Sequence, residues 1–391
     1  MAIAGKWMAA TYNKPDFELF NWNVFSLGGD GCMQEGVQAE AASLAGHLKL
    51  DNLCWIYDNN KISIEGNTDW SYSEDVTTRF IGYGWNVLRV GDANDQDALD
   101  RAFKTFKMEK HRPTLIIVDS HIGFGAPTKQ GTGEVHGAPL GEKEISATKK
   151  VYGWPDEKFL VPEDCKHHFQ SQLQSHGGQK RREWNEMFRK YTQLYPTEAS
   201  AIKHQLARTL PDGWERFCTE FPPSPKGLAT RQSSGQVLNM VAQGLPWLIG
   251  GSADLSPSTL TDMKFKGAGH FLPPGAGYAD CDYSGRNFHF GIREHAMGSI
   301  MNGMAVSKVR PFGSTFFVFS DYMKPPIRLA AIMEIPCIFI FTHDSIGVGE
   351  DGPTHQPIEH LSALRSIPGL FTFRPADANE ALEMWKYIAP L

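Results

Sequence analysis

The sequence has no run of about eighteen apolar residues, the length a helix needs to cross a bilayer. Its start, MAIAGKW, lacks the long apolar stretch of a signal peptide. Its six cysteines are scattered without C-x-x-C spacing, which reads as reduced thiols in the cytoplasm rather than a disulfide frame. An excess of basic charge is missing too: the net charge is −6, so there is no electrostatic case for binding nucleic acid. Internal repeats are absent. What is present is a chain of 391 residues, 41% hydrophobic, long enough for two or three domains with ample core.

One segment carries most of the chemical information. Val24-Phe25-Ser26-Leu27 reads as a short buried strand, and Gly28-Gly29-Asp30-Gly31 reads as a turn. Gln34 to Leu50 has helical spacing, and a second apolar run, Leu53 to Tyr57, leads into Asp58-Asn59-Asn60. This is a βαβ pattern, so both strand ends emerge on one edge of a parallel sheet and Asp30 can meet Asn60. The glycines allow close approach of a ligand, and the helix start favours anions.

A dinucleotide loop is the obvious rival, but no G-x-G-x-x-G can be read there. Asp30 is also badly placed for bare phosphate, since like charges about 4 Å apart repel by roughly 4 kcal/mol at an effective dielectric of 20. A divalent cation reverses that sign, and Asp30 with the Asn60 amide oxygen suits magnesium. A plain glycine turn with a capping aspartate is the alternative. Far downstream, GIREHAMG places Glu294 at the mouth of a second α/β region. A metal-held diphosphate and a lone carboxylate together are what thiamine diphosphate chemistry requires.

Three regions follow along the chain. Residues 1–155 alternate helix and strand, with a helix near Gln96 to Lys110 and a strand at Thr114 to Val118. Residues 156–225 are helical and rich in Gln, His and Arg, ending in a proline-rich stretch that marks a boundary. Residues 226–391 return to α/β, with strands expected near Trp247 to Ile249, Phe288 to Phe290, Cys337 to Phe341 and Phe371 to Phe373. Met1 to Thr11 and Ala378 to Ile388 read as helices, and both ends of the sequence look cut.

The motifs GDGCMQEG, IYDNNKISIEG, DSHIGFGAP, VHGAPLGEKE, GGSADLSPST, HFGIREHAMG and FTHDSIGVGEDGPTHQP resemble those of transketolase, in its order. The resemblance implies two doubly wound parallel-sheet domains of the thiamine diphosphate-binding fold, one for diphosphate and one for pyrimidine, joined by the helical linker. It implies that Asp30, Asn60 and the Ile62 carbonyl hold magnesium (or another divalent ion such as calcium or manganese). Gly31 and Asn60 would lie near the diphosphate, and Ile122 would line the thiazolium pocket. Glu294 would bond N1′ of the aminopyrimidine, where the cofactor supplies the reactive carbon and the protein one proton relay. Outside its motif, a glutamate at a helix start is only a first-turn charge.

Phe316 and Phe319 match aromatics that pack the aminopyrimidine, with Tyr322 close by, although aromatics at helical spacing are also ordinary core. His136 would contact diphosphate and a substrate oxygen. His355 and Asp351 would bond substrate hydroxyls, while Arg231, Ser258 and His343 would hold the sugar phosphate. His136 and His355 thus join Glu294 as catalytic candidates, and Asp254 is a cofactor-side candidate whose alternative is capping. The activity implied is transfer of a two-carbon ketol unit from a ketose phosphate to an aldose phosphate by a cytoplasmic homodimer. The family's upstream glycine-rich diphosphate loop and its C-terminal domain have no counterpart in these residues. The competing expectation is therefore a non-catalytic or half-subunit member completed by a separate chain carrying the missing N-terminal segment.

Overall fold

An apolar helix, α1 (Ala2–Tyr12), opens the chain, and its partners lie far along the sequence. The Trp7 indole donates to the Ser284 carbonyl at 3.2 Å, and the Tyr12 hydroxyl donates to Gln205 at 2.7 Å. Tyr191 donates in turn to the Tyr12 carbonyl at 2.8 Å. In this computed structural model, which describes residues 1–391, Met1–Asn21 therefore groups with Tyr191–Leu391, and Trp22–Lys190 forms a second unit. Compactness thus groups the residues differently from divisions at 155 and 225.

The Trp22–Lys190 unit begins with β1 (Val24–Gly29), α2 (Asp30–Gln34), α3 (Gly36–His47) and β2 (Leu53–Asn59). A hairpin of β3 (Ile62–Ser63) and β4 (Gly66–Asn67) follows, then α4 (Val76–Gly82), β5 (Asn86–Val90), α5 (Gln96–Met108) and β6 (Thr114–Asp119). Helices α6 (Glu142–Val151), α7 (Glu163–Gln172) and α8 (Gly178–Leu194) complete it, the last running into the other unit. The four long strands pair in parallel in the order β1-β2-β6-β5. Helix α5 is capped by Asp95, which accepts from the Ala98 N–H. Its Ala102 and Phe106 pack on Cys54, Val90, Ile116 and Val118 of the sheet.

Two local expectations change here. Gly28 and Gly29 are not a turn: they stay in β1, in register with Tyr57 and Asp58. Asp30 then starts a helix directly. The single helix expected over Gln34–Leu50 breaks at Glu35, whose extended backbone (φ −67°, ψ 130°) separates α2 from α3.

The other unit continues with α9 (Pro196–Ala207), α10 (Thr230–Gly244), β7 (Leu248–Ser252), α11 (Ser256–Thr259), β8 (His270–Phe271) and β9 (Cys281–Asp282). It ends with β10 (Asn287–His289), α12 (Glu294–Val306), β11 (Arg310–Phe316), α13 (Ser320–Ile332), β12 (Ile338–Thr342), α14 (His360–Arg365) and α15 (Ala378–Ile388). Its parallel sheet runs β12-β11-β7-β10-β8-β9. Strand β7 is buried throughout, as a strand covered on both faces must be. Helix α12 lies close to the sheet at Gly313, where a Cβ would meet Met301 Sδ at 2.3 Å.

Phe371–Phe373 was expected as a strand, yet it joins no sheet. It lines, together with the open edge of β12, a cavity of about 1280 Å³. Space thus lies where a ladder partner would be needed.

Candidate functional site

Parallel pairing brings the C-terminal ends of β1, β2 and β6 to one edge: Gly29 is level with Asp58, and Asn59 with Asp119. Ligands of open α/β sheets bind outside such ends. Asp30 stands there, 3% exposed, at the start of α2. Tyr57 donates to its Oδ1 at 2.7 Å and the Lys61 N–H donates to its Oδ2 at 3.0 Å. Asn60 Oδ1 accepts from the Ile62 N–H at 3.0 Å, and its amide donates to Asp58 at 3.2 Å. The fold thus brings the Asn60–Ile62 turn against Asp30.

The local chemistry fits a cation. A buried carboxylate ordinarily has a charged partner, but no Lys or Arg side chain pairs with Asp30, whose partners are the Tyr57 hydroxyl and the Lys61 amide. At Gly31 an added Cβ would meet nothing within 4 Å, so open space adjoins the carboxylate. Burial first, and then the bond to Asp30, pushes the Tyr57 hydroxyl far above its ordinary pKa and keeps it a donor. Of the other candidates in this unit, Ile122 is half-buried, and its carbonyl accepts from the Gly131 N–H at 2.9 Å. His136 is exposed, at the end of the single turn Gly133–Val135.

In the other unit Glu294 is the first residue of α12 and is 8% exposed. Arg293, just before it, donates to the Phe290 carbonyl at 3.0 Å and fixes the entry to the helix. The aromatic candidates form one cluster. Phe316 and Phe319 stack at 6.0 Å and 8°, and Phe319 meets Tyr322 at 6.1 Å. His343 lies 3.8 Å from Phe316, and His355 presents an edge to Phe319 at 5.4 Å.

His343 is half-buried with φ 54°, a left-handed backbone that is uncommon outside glycine. Burial lowers its pKa below 6.5, and the neighbouring Arg231 lowers it further, against Asp351 and Asp344. Arg231, His343 and Asp351 share the wall of the cavity beside β12. Asp254 (φ 63°) and Ser258 are exposed on the segment after β7, and neither lines that cavity. Tyr57 was not legible in the sequence, because nothing in its surroundings marks a core-looking tyrosine as the support of a carboxylate twenty-seven residues away.

Two family models match the chain: "Transketolase, thiamine diphosphate binding domain" over residues 1–211, and "Transketolase, pyrimidine binding domain" over residues 226–390. The chain belongs to the transketolase family. It is 49% identical over 388 residues to a transketolase of Geobacillus stearothermophilus, covering 99% of this chain and 57% of that protein. Among solved structures, a Pichia stipitis transketolase in complex with sedoheptulose 7-phosphate aligns with a TM-score of 0.95 and 42% identity. That alignment covers 100% of this chain and 57% of the other. Transketolase from Leishmania mexicana gives a TM-score of 0.93 at 39% identity, over 99% and 57% of the two chains. The chain therefore spans a little over half the length of the transketolases it matches. Its two parallel-sheet units are those of the transketolase cofactor-binding domains, and no helix is long and apolar enough to cross a membrane.

Proposed function

We propose that this chain carries out transketolase-type transfer of a two-carbon ketol unit from a ketose phosphate to an aldose phosphate, with thiamine diphosphate and a divalent cation. The observation that carries the reading is Asp30: a buried carboxylate with no basic partner, oriented by Tyr57 and Lys61, beside open space at Gly31. Asp30, Asn60 and the Ile62 carbonyl would hold magnesium, calcium or manganese, with Gly31 facing the diphosphate. Thiamine diphosphate, when bound, supplies the nucleophilic carbon.

The residues supply position and proton handling. Glu294, buried at the first position of α12, would hold a proton against N1′ of the aminopyrimidine. Phe316, Phe319 and Tyr322 would pack the pyrimidine ring, Ile122 would line the thiazolium, and Asp254 would lie on the cofactor side. His136 and His355 exchange protons with substrate oxygens, and Asp351 accepts from a hydroxyl. Arg231 offers a fork of donors to the sugar phosphate, with Ser258 and His343 as further donors. The Pichia stipitis relative's complex with sedoheptulose 7-phosphate supports a sugar phosphate as substrate.

The partner of this proposal is a second copy of the chain, in the cytoplasm. No observation favours a non-catalytic role instead. The test incubates purified chain, thiamine diphosphate and magnesium with a pentulose phosphate donor and a pentose phosphate acceptor. Mass spectrometry should detect a ketose phosphate two carbons longer than the acceptor. Its absence at saturating cofactor would contradict the proposal.

A further inference from the structure

Helices α13 and α14 begin beside one another, and three metal-ligating side chains converge there. Asp321 stands in the first turn of α13, while Glu359 and His360 open α14. His360 Nε2 lies 3.1 Å from Asp321 Oδ2, and Nδ1 lies 3.9 Å from Glu359 Oε2. One ring nitrogen and one oxygen from each carboxylate fall within 4.8 Å of one another.

The imidazole is 4% exposed, and its Nδ1 is buried without a hydrogen-bond partner. A buried polar atom left unsatisfied is costly unless something else fills the role. The 3.9 Å gap to Glu359 is too long for a hydrogen bond. Neither carboxylate has a Lys or Arg partner; their ion-pair contacts are with His360 alone. Two negative charges and an imidazole thus converge with no cation to balance them. The Phe317 ring, 5.8 Å from that of His360, packs against the imidazole and limits its rotation.

We propose that Asp321, Glu359 and His360 bind a divalent transition-metal ion of the zinc type, with water in the remaining positions. One imidazole and two carboxylates are a borderline-soft donor set that suits zinc better than magnesium. Ligand bonds of about 2.0–2.2 Å require the two exposed carboxylates to draw in toward the ion. The ion ties the start of α14 to the start of α13. It thereby anchors the C-terminal end of the segment that carries Asp351 and His355. This site uses none of the residues assigned to cofactor or substrate.

Equilibrium titration of the full chain with zinc chloride, competed by a chromophoric chelator, tests it. The parent should bind one more equivalent than His360→Gln, and Glu359→Gln and Asp321→Asn should each weaken that site about tenfold or more. Zinc should raise the melting temperature of the parent and leave that of His360→Gln unmoved. Should His360→Gln fail to fold, the two exposed carboxylate variants still decide the matter. Equal stoichiometry and affinity in the parent, Glu359→Gln and Asp321→Asn would place any bound zinc elsewhere and overturn the proposal.

Discussion

The Tyr57 hydroxyl donates a 2.7 Å hydrogen bond to Oδ1 of Asp30, across twenty-seven residues of sequence and one parallel strand pair. The bond leaves Oδ2 to the Lys61 N–H and holds the carboxylate in one orientation. A carboxylate so fixed presents its remaining lone pairs in one direction, which is what a metal with strict ligand geometry needs.

Tyr57→Phe removes that donor and little else. A hydrogen bond to a charged group is worth about 1.5–3 kcal/mol, so urea unfolding should show a loss within that range. Calorimetry should also show weaker magnesium-dependent binding of thiamine diphosphate. Unchanged cofactor affinity would mean that the orientation of Asp30 does not matter to the site.

Gly31→Ala makes a different test, because the new methyl group meets no protein atom within 4 Å. Alanine is also the better helix former by about 1 kcal/mol at an interior position, so the fold should be unharmed. If the space belongs to the cofactor diphosphate, affinity should fall about tenfold or more, the effect of losing roughly 1.4 kcal/mol. Full affinity in a stable variant would show that the ligand does not approach there.

The pH dependence centres on His343. Its pKa in the folded chain is below the ordinary 6.5, mainly through burial and then through Arg231. Just below pH 6.5 the unfolded chain therefore binds more protons than the folded one, and stability rises with pH across that window. Stability from this group is present above the unfolded value and is lost as pH falls through the folded value. Titration of the imidazole by NMR should give a value under 6.5, and a bound sugar phosphate should move it upward by favouring the protonated ring. A midpoint that does not respond to sugar phosphate would remove His343 from the phosphate-holding group.

Much of the architecture was legible because it is local. Alternation of apolar runs with helical spacing gave β1, β2 and α5 within a few residues, and Ala378–Ile388 at both ends. The placement of Glu294 at the first position of α12 was legible from the GIREHAMG motif rather than from periodicity. What escaped depends on chain folding back on itself. Trp7 meets Ser284, and Tyr12 meets Gln205 and Tyr191, at separations no periodicity encodes. The break at Glu35 hid inside a helix-compatible stretch, and Phe371–Phe373 has strand composition but no ladder partner.

Arg286 is the clearest case of hidden structure. It is 8% exposed and donates to the carbonyls of Ala242, Leu245 and Leu248, tying α10 to β7. Burial lowers its pKa to about 10, and its hydrogen-bond acceptors are all carbonyls, with no carboxylate among them. Arg286→Leu strands those three acceptors; at about 1–3 kcal/mol for each unsatisfied buried group, the loss should be at least ~3 kcal/mol. Chemical denaturation would read it directly, and a loss below about 1 kcal/mol would mean that the carbonyls find other partners.

The central claim is that Glu294 relays a proton to the cofactor, and hydrogen exchange at thiazolium C2 tests it most directly. Glutamine keeps the shape of Glu294 and can still bond N1′, but it cannot relay that proton. With thiamine diphosphate and magnesium bound, NMR should show the parent exchanging its C2 hydrogen for deuterium far faster than the free cofactor does. Glu294→Gln, with cofactor binding verified by calorimetry, should exchange at close to the free rate. Equal exchange rates in the parent and Glu294→Gln would contradict the account.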